Sequence, residues 1–163
     1  ARIAEKGSQV TVRLGDREAA FEVGGVQLIS RLIEGEFPNY RQLIPQSNPN
    51  RLTVRRDSLM EAVRRMKVVA KDPSTPVRLA MREDGLDLSV SAQDVGTAFE
   101  QLDAKYEGAE LMVAFNPEYL LEGAEAAAGD EVTLESVDER KPVLLRPIDG
   151  TEFLYLLMPV RVS

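Results

Sequence analysis

The chain contains no cysteine and no histidine. Disulfides, thiol chemistry, zinc sites of the usual Cys/His kind and histidine-based acid–base pairs or triads are therefore excluded. The lack of cysteine fits a reducing cytoplasm. No apolar run approaches the roughly 18 residues that a membrane-spanning helix needs, and the opening ARIAEKGSQV lacks the apolar core of a signal peptide. It also lacks an initiator methionine, so the true start of the gene product is expected upstream. No phosphate-cradling loop or dinucleotide fingerprint appears, because the glycines of GDREAAFEVGG lie in hairpin turns rather than between a strand and a helix. Asp84 and Asp94 sit in short acidic loops without the spacing of a calcium loop.

What is present bounds the answer further. The 163 residues suffice for one full domain plus extra material, or two small domains, and a hydrophobic share of 44% supports a sizeable core. Acidic residues outnumber basic ones 27 to 20, giving net −7. That balance argues against tight nucleic-acid binding over the whole surface, while leaving room for a small basic face.

QVTVRL (9–14) alternates like a half-buried strand, Gly15-Asp16 supplies a turn, 18–23 reads as a returning strand, and Gly24-Gly25 turns into a third strand over 26–33. The segment 35–50, rich in Pro, Asn and Gly, reads as a linker. Residues 51–163 form one self-contained domain with an internal repeat of pattern. In each half a strand passes into a helix, at Asp57-Ser58 and at Asn116-Pro117, and three strand-like runs follow. The first set is 77–82, 86–91 and 97–103; the second is 131–135, 142–146 and 152–158. Ser58 and Glu61 have capping-box spacing, with Asp57 as an alternative cap. Asn116 is a strong cap ahead of Pro117, and Gly129 is a stop for the second helix.

At 100° per residue, Leu59, Val63, Met66 and Ala70 share the core face of the first helix, while Arg64, Lys67 and Lys71 lie opposite, with Arg65 at their flank. This is either a solvated polar face or a basic stripe that contacts phosphates without reading bases. Val68 stands within the polar face, beside Val69. The second helix carries Glu118, Glu122 and Glu125 opposite Leu120, Ala124 and Ala127, a solvated stripe that does not favour phosphates. The end of the chain, FLYLLMPVRVS (153–163), should fray unless packed, and Pro159 halts regular pairing. Val160 and Val162 thus need another role, such as one wall of an apolar groove with methionine as an adaptable surface. A carboxylate-based enzyme and a peptide-binding adaptor unrelated to DNA remain as alternatives.

Three segments in order, SRLIEGEFPNYRQLIP (30–45), FNPEYL (115–120) and YLLMPVRV (155–162), resemble the beta sliding clamp family of bacterial DNA polymerase III. The resemblance covers the chain from end to end and implies an α+β DNA-clamp fold, with two helices packed on antiparallel sheets. Residues 1–45 would be the carboxy-terminal part of a second clamp domain with its linker, and 46–163 a complete third domain. The first domain and the opening of the second would be missing, as in a truncated or proteolysed product.

By the same resemblance the chain is a non-catalytic, cytoplasmic processivity subunit without a cofactor or metal. Its partners would be duplex DNA, bound without regard to sequence, and the DNA polymerase III alpha subunit, the clamp loader and repair polymerases, held through short clamp-binding peptide motifs. Groove positions matched on this basis are Pro38, Gln42, Leu43, Asn116, Tyr119, Leu156, Met158, Pro159, Val160 and Arg161; Gln42 stands where some clamps have Arg. Val68 and Val69 match the contact that closes a homodimeric ring. Arg64, Lys67 and Lys71 are the candidates for the DNA-facing lining.

Overall fold

The computed structural model describes residues 4–45, 47–72 and 74–161. The chain divides into two compact units, Ala1–Asn39 and Tyr40–Ser163. The smaller is an antiparallel meander of β1 (Thr11–Leu14), β2 (Glu18–Val23) and β3 (Val26–Arg31). Positive φ at Gly24 (55°) and Gly25 (79°) closes the β2–β3 hairpin, a conformation that residues with a Cβ rarely adopt. The register sets Val12 opposite Phe21 and Phe21 opposite Leu28, an apolar row across one face. Arg13 and Glu22 form an ion pair at 3.3 Å. β1 begins two residues later than the sequence alternation predicts, and β3 ends two residues earlier.

The larger unit opens with a 3-10 turn at Tyr40–Leu43. β4 (Asn50–Arg55), α1 (Arg56–Val69), β5 (Val77–Arg82), β6 (Gly85–Ala92), β7 (Gly96–Leu102) and β8 (Ala104–Glu107) follow. The second half comprises β9 (Leu111–Phe115), α2 (Pro117–Ala126), β10 (Glu131–Ser136), β11 (Val143–Pro147) and β12 (Tyr155–Leu157). The expected repeat is therefore present: β4-α1-β5-β6-β7 corresponds to β9-α2-β10-β11-β12. The sheets are ordered β12-β11-β10-β4-β8 and β7-β6-β5-β9, so each half lends its first strand to the other half's sheet.

Two chain crossings tie the sheets together. At Asp103 the chain passes from β7, an edge of one sheet, into β8, an edge of the other, where β8 pairs with β4. At the equivalent point in the second half, Pro159 follows β12 and the N–H of Val160 donates to the carbonyl of Ala114 on β9 (2.7 Å). The tail thus takes the edge position on β9 that β8 takes on β4, which anchors Val160. Val162 lies outside the described residues.

Leu59, Val63, Met66 and Ala70 of the first helix segment are buried as their spacing requires, and so are Leu120, Ala124 and Ala127 of the second. They pack on Leu52, Val54, Leu79, Leu88, Val132, Leu134 and Leu145 from both sheets, in a single apolar core. Burial of each such Leu or Val contributes about 1.5–3 kcal/mol.

The helix ends correct part of the sequence reading. Asn116 caps α2 as expected, its side chain accepting from the N–H of Glu118 at 2.8 Å, with Pro117 at the first helical position. The capping box does not form: α1 starts at Arg56, its cap residue Arg55 makes no side-chain cap bond, and Ser58 and Asp57 lie inside the first turn. β4 runs straight into α1, and the N–H of Arg56 is satisfied by the carbonyl of Asp130 (2.8 Å), which removes the need for a local cap. Gly129 does not stop α2, which ends at Ala126 with Ala127 as cap; Gly129 takes its positive φ (79°) in the following turn.

Candidate partner groove

Where the tail leaves β12, a recess of about 630 Å³ opens in the larger unit. Leu156, Leu157, Met158, Pro159 and Val160 form one wall, and Asn116 and Tyr119 at the start of α2 form another, with Tyr155 and the turn residues Ser74 and Pro76. Six of the matched positions are thereby brought together: Asn116, Tyr119, Leu156, Met158, Pro159 and Val160. Met158 (59% exposed) and Tyr119 (57%) present apolar surface to solvent here instead of entering the core. Gln42 and Leu43 are exposed in the 3-10 turn and are not among the lining residues, while Pro38 belongs to the smaller unit. Arg161 lines a neighbouring recess.

Tyr155, Ser74 and Pro76 are lining residues that the sequence reading did not select. Tyr155 packs its ring on Gly123 of α2; a Cβ built at Gly123 would stand 2.6 Å from Tyr155 Cδ1. Burial raises the pKa of the Tyr155 hydroxyl, and the Glu122 carboxylate beside it adds to the rise. At neutral pH this phenol is a neutral hydrogen-bonding group at the edge of an apolar wall. The groove thus combines aliphatic, thioether and aromatic surface with few polar groups, the chemistry suited to apolar side chains of an extended peptide.

The two helices lie side by side and run antiparallel, since Arg64 pairs with Glu125 (2.7 Å) and Lys67 with Glu118 (2.6 Å) in reversed order. The basic stripe of α1 therefore meets the acidic stripe of α2. Lys71, past the end of α1, has no ion-pair partner among the described residues. Arg65 turns the other way and holds Glu100 on β7, with Nε donating to Oε2 at 3.0 Å. That bond keeps the Glu100 carboxyl below its ordinary pKa and raises that of Arg65. Val68 is 67% exposed, whereas Val69 packs partly against the core. A further exposed apolar group, Phe99 (68%), stands on the edge strand β7.

Among the described residues no group of three or more His, Cys, Asp or Glu is positioned to hold a metal ion, and no helix is long and apolar enough to cross a membrane.

A family model described as DNA polymerase III beta subunit, C-terminal domain, matches residues 41–161. The beta sliding clamp of Synechocystis sp. is 32% identical over 98% of this chain and 42% of its own length. That of Streptomyces coelicolor is 34% identical over 100% of this chain and 46% of its own length. The chain thus spans less than half the length of these relatives. Among solved structures, a sliding clamp from Bartonella birtlesii bound to griselimycin aligns with a TM-score of 0.83 at 36% identity, covering 94% of this chain and 41% of that one.

Proposed function

This chain belongs to the family of the DNA polymerase III beta subunit, the beta sliding clamp, and on that premise we propose that it is the carboxy-terminal part of a ring-forming processivity factor. Members of the family are non-catalytic. Residues 46–163 are assigned as its last clamp domain and 1–45 as the later part of the domain before it. The recess walled by Leu156–Val160 and Tyr119 carries the reading, because its apolar surface, with Met158 and Tyr119 exposed, faces solvent and not the core. It takes the apolar side chains of short peptide motifs in polymerases, the clamp loader and repair proteins. The griselimycin-bound clamp supports a ligand site in a relative of this chain. Pro38, Gln42, Leu43 and Arg161 are assigned to partner recognition on the family likeness alone.

The ring would encircle duplex DNA in the cytoplasm as a homodimer, with Val68 and Val69 at the closing contact. Enclosure makes strong DNA affinity unnecessary, which accords with net −7. Arg64, Lys67 and Lys71 line the DNA side. Two of them already hold carboxylates, so a phosphate must displace Glu125 or Glu118 before it gains full contact. This weakens attachment at any one place and favours sliding.

Calorimetric titration of this chain with a clamp-motif peptide tests the groove. Saturable binding is expected, with loss of binding in Met158→Glu and in Pro159→Glu. Unchanged affinity in those variants would rule the assignment out.

A further inference from the structure

Val160 lines two recesses. On one side lies the groove; on the other is a second cavity of about 600 Å³, lined by Arg78, Met112, Val113, Ala114, Glu139, Arg140 and Val160, with Arg161 at the tail. Three guanidinium groups and a single carboxylate therefore share one concavity, a local excess of positive charge on a chain of net −7. Arg140 makes a long ion pair with its neighbour Glu139 (3.4 Å), but Arg78 and Arg161 have no ion-pair partner among the described residues. On α1, by contrast, Arg64, Arg65 and Lys67 are each held by a carboxylate.

The arginines come from three separate parts of the fold. Arg78 is fixed on β5, whose partner strand β9 supplies Met112 and Ala114. Arg161 follows Val160, which is tied to β9 by its backbone hydrogen bond. Arg140 is carried on the β10–β11 turn, where the Asp138 carboxylate accepts from the N–H groups of Arg140 (2.9 Å) and Lys141 (3.0 Å). Fixed backbone at all three points lowers the ordering cost of receiving an anion.

We propose that this recess anchors a side-chain carboxylate in the flank of the peptide whose apolar residues occupy the adjoining groove, an inference that rests on the groove reading. Guanidinium forks match carboxylate geometry. The shared Val160 sets the two recesses side by side, within reach of one extended segment. Glu139 and the apolar walls Met112, Val113 and Val160 disfavour a string of phosphates but leave room for one or two carboxylates. The partner is thus a protein segment in which acidic residues adjoin the apolar motif.

Two acetylated and amidated peptides with the same apolar motif, flanked on both sides by Glu-Asp or by Gln-Asn, are titrated against this chain by fluorescence anisotropy. The acidic peptide is expected to bind about three- to tenfold more tightly at low salt, with the advantage shrinking as salt rises. Arg78→Gln combined with Arg140→Gln removes that advantage and leaves the neutral peptide unchanged. Equal binding of both peptides, with Met158→Glu still abolishing each, overturns the carboxylate site and spares the groove. Binding of neither peptide overturns both. A single-stranded oligonucleotide that binds through Arg78 and Arg140, without any gain from the acidic flank, assigns the recess to nucleic acid instead and overturns the proposal.

Discussion

Replacing Gly123 by alanine is the sharpest test of how α2 positions the groove wall. The added Cβ would meet Tyr155 Cδ1 at 2.6 Å, Cε1 at 2.9 Å and Cγ at 3.1 Å, against an ordinary carbon–carbon contact of about 3.5–4.0 Å. The ring must therefore retreat by about 1 Å. Because Cγ is among the atoms met, rotation of the ring about its own axis does not relieve the clash, and χ1 or the short strand β12 has to move. Overpacking of this kind costs about 1–3 kcal/mol. Alanine recovers about 0.8–1.0 kcal/mol of helix propensity over glycine. The expected net loss is about 0–2 kcal/mol, read as a lower urea midpoint at unchanged slope. Weaker binding of a clamp-motif peptide is expected alongside it, because Tyr155 lines the groove. A Tyr155→Ala background removes the obstacle, so there Gly123→Ala should stabilise by up to about 1 kcal/mol. If Gly123→Ala stabilises the otherwise unchanged protein, or remains costly without the Tyr155 ring, the packing argument is wrong.

Two further outcomes test the charged faces. Glu118→Gln with Glu125→Gln breaks two exposed ion pairs of about 0.2–1 kcal/mol each, so urea unfolding should show only a modest loss. In a full-length clamp carrying this chain, the freed Arg64 and Lys67 should steepen the dependence of log K for DNA on log salt by up to about 1.8; an unchanged slope removes the stripe from the DNA side. Glu100 has its folded pKa below the unfolded value of 4.5, so its contribution with Arg65 is present above that value and lost as pH falls through the lower folded one. Melting curves should therefore separate the unchanged protein from Glu100→Gln at neutral pH and converge in acid; a gap that persists at pH values well below 4.5 contradicts this linkage.

Much of the larger unit was legible because its signals are local. The strands at 18–23 and 77–82 begin and end where their alternation does, and Asn116-Pro117 marks the start of α2. The strand Ala104–Glu107, just past the run 97–103, was not anticipated, since its pairing with β4 lies some fifty residues away and its short sequence has little apolar alternation. Ser58 and Glu61 have the spacing of a capping box, but a bond from the distant Asp130 carbonyl fixes the start of α1. The groove's tail and α2 residues emerged from family resemblance, and the fold brings them together. Ser74, Pro76 and Tyr155 were missed because neither turn residues nor a tyrosine in an apolar strand signal that a neighbouring sheet will leave them facing a cleft. The complementary stripes on α1 and α2 were each visible, but only the antiparallel placement of the helices shows that they meet.

The exchange of first strands between the two halves has a kinetic consequence. β4 completes its sheet only when β10 has been made and brought back across about eighty residues, and β9 has to insert beside β5. Neither half can close its own sheet, so no half-domain intermediate with a finished core is available on the folding path. Long-range pairing of this type slows folding and concentrates it into one cooperative step. If the chain were cut in the loop before β9, each fragment would lack the strand the other holds, and the two should regain structure only when mixed.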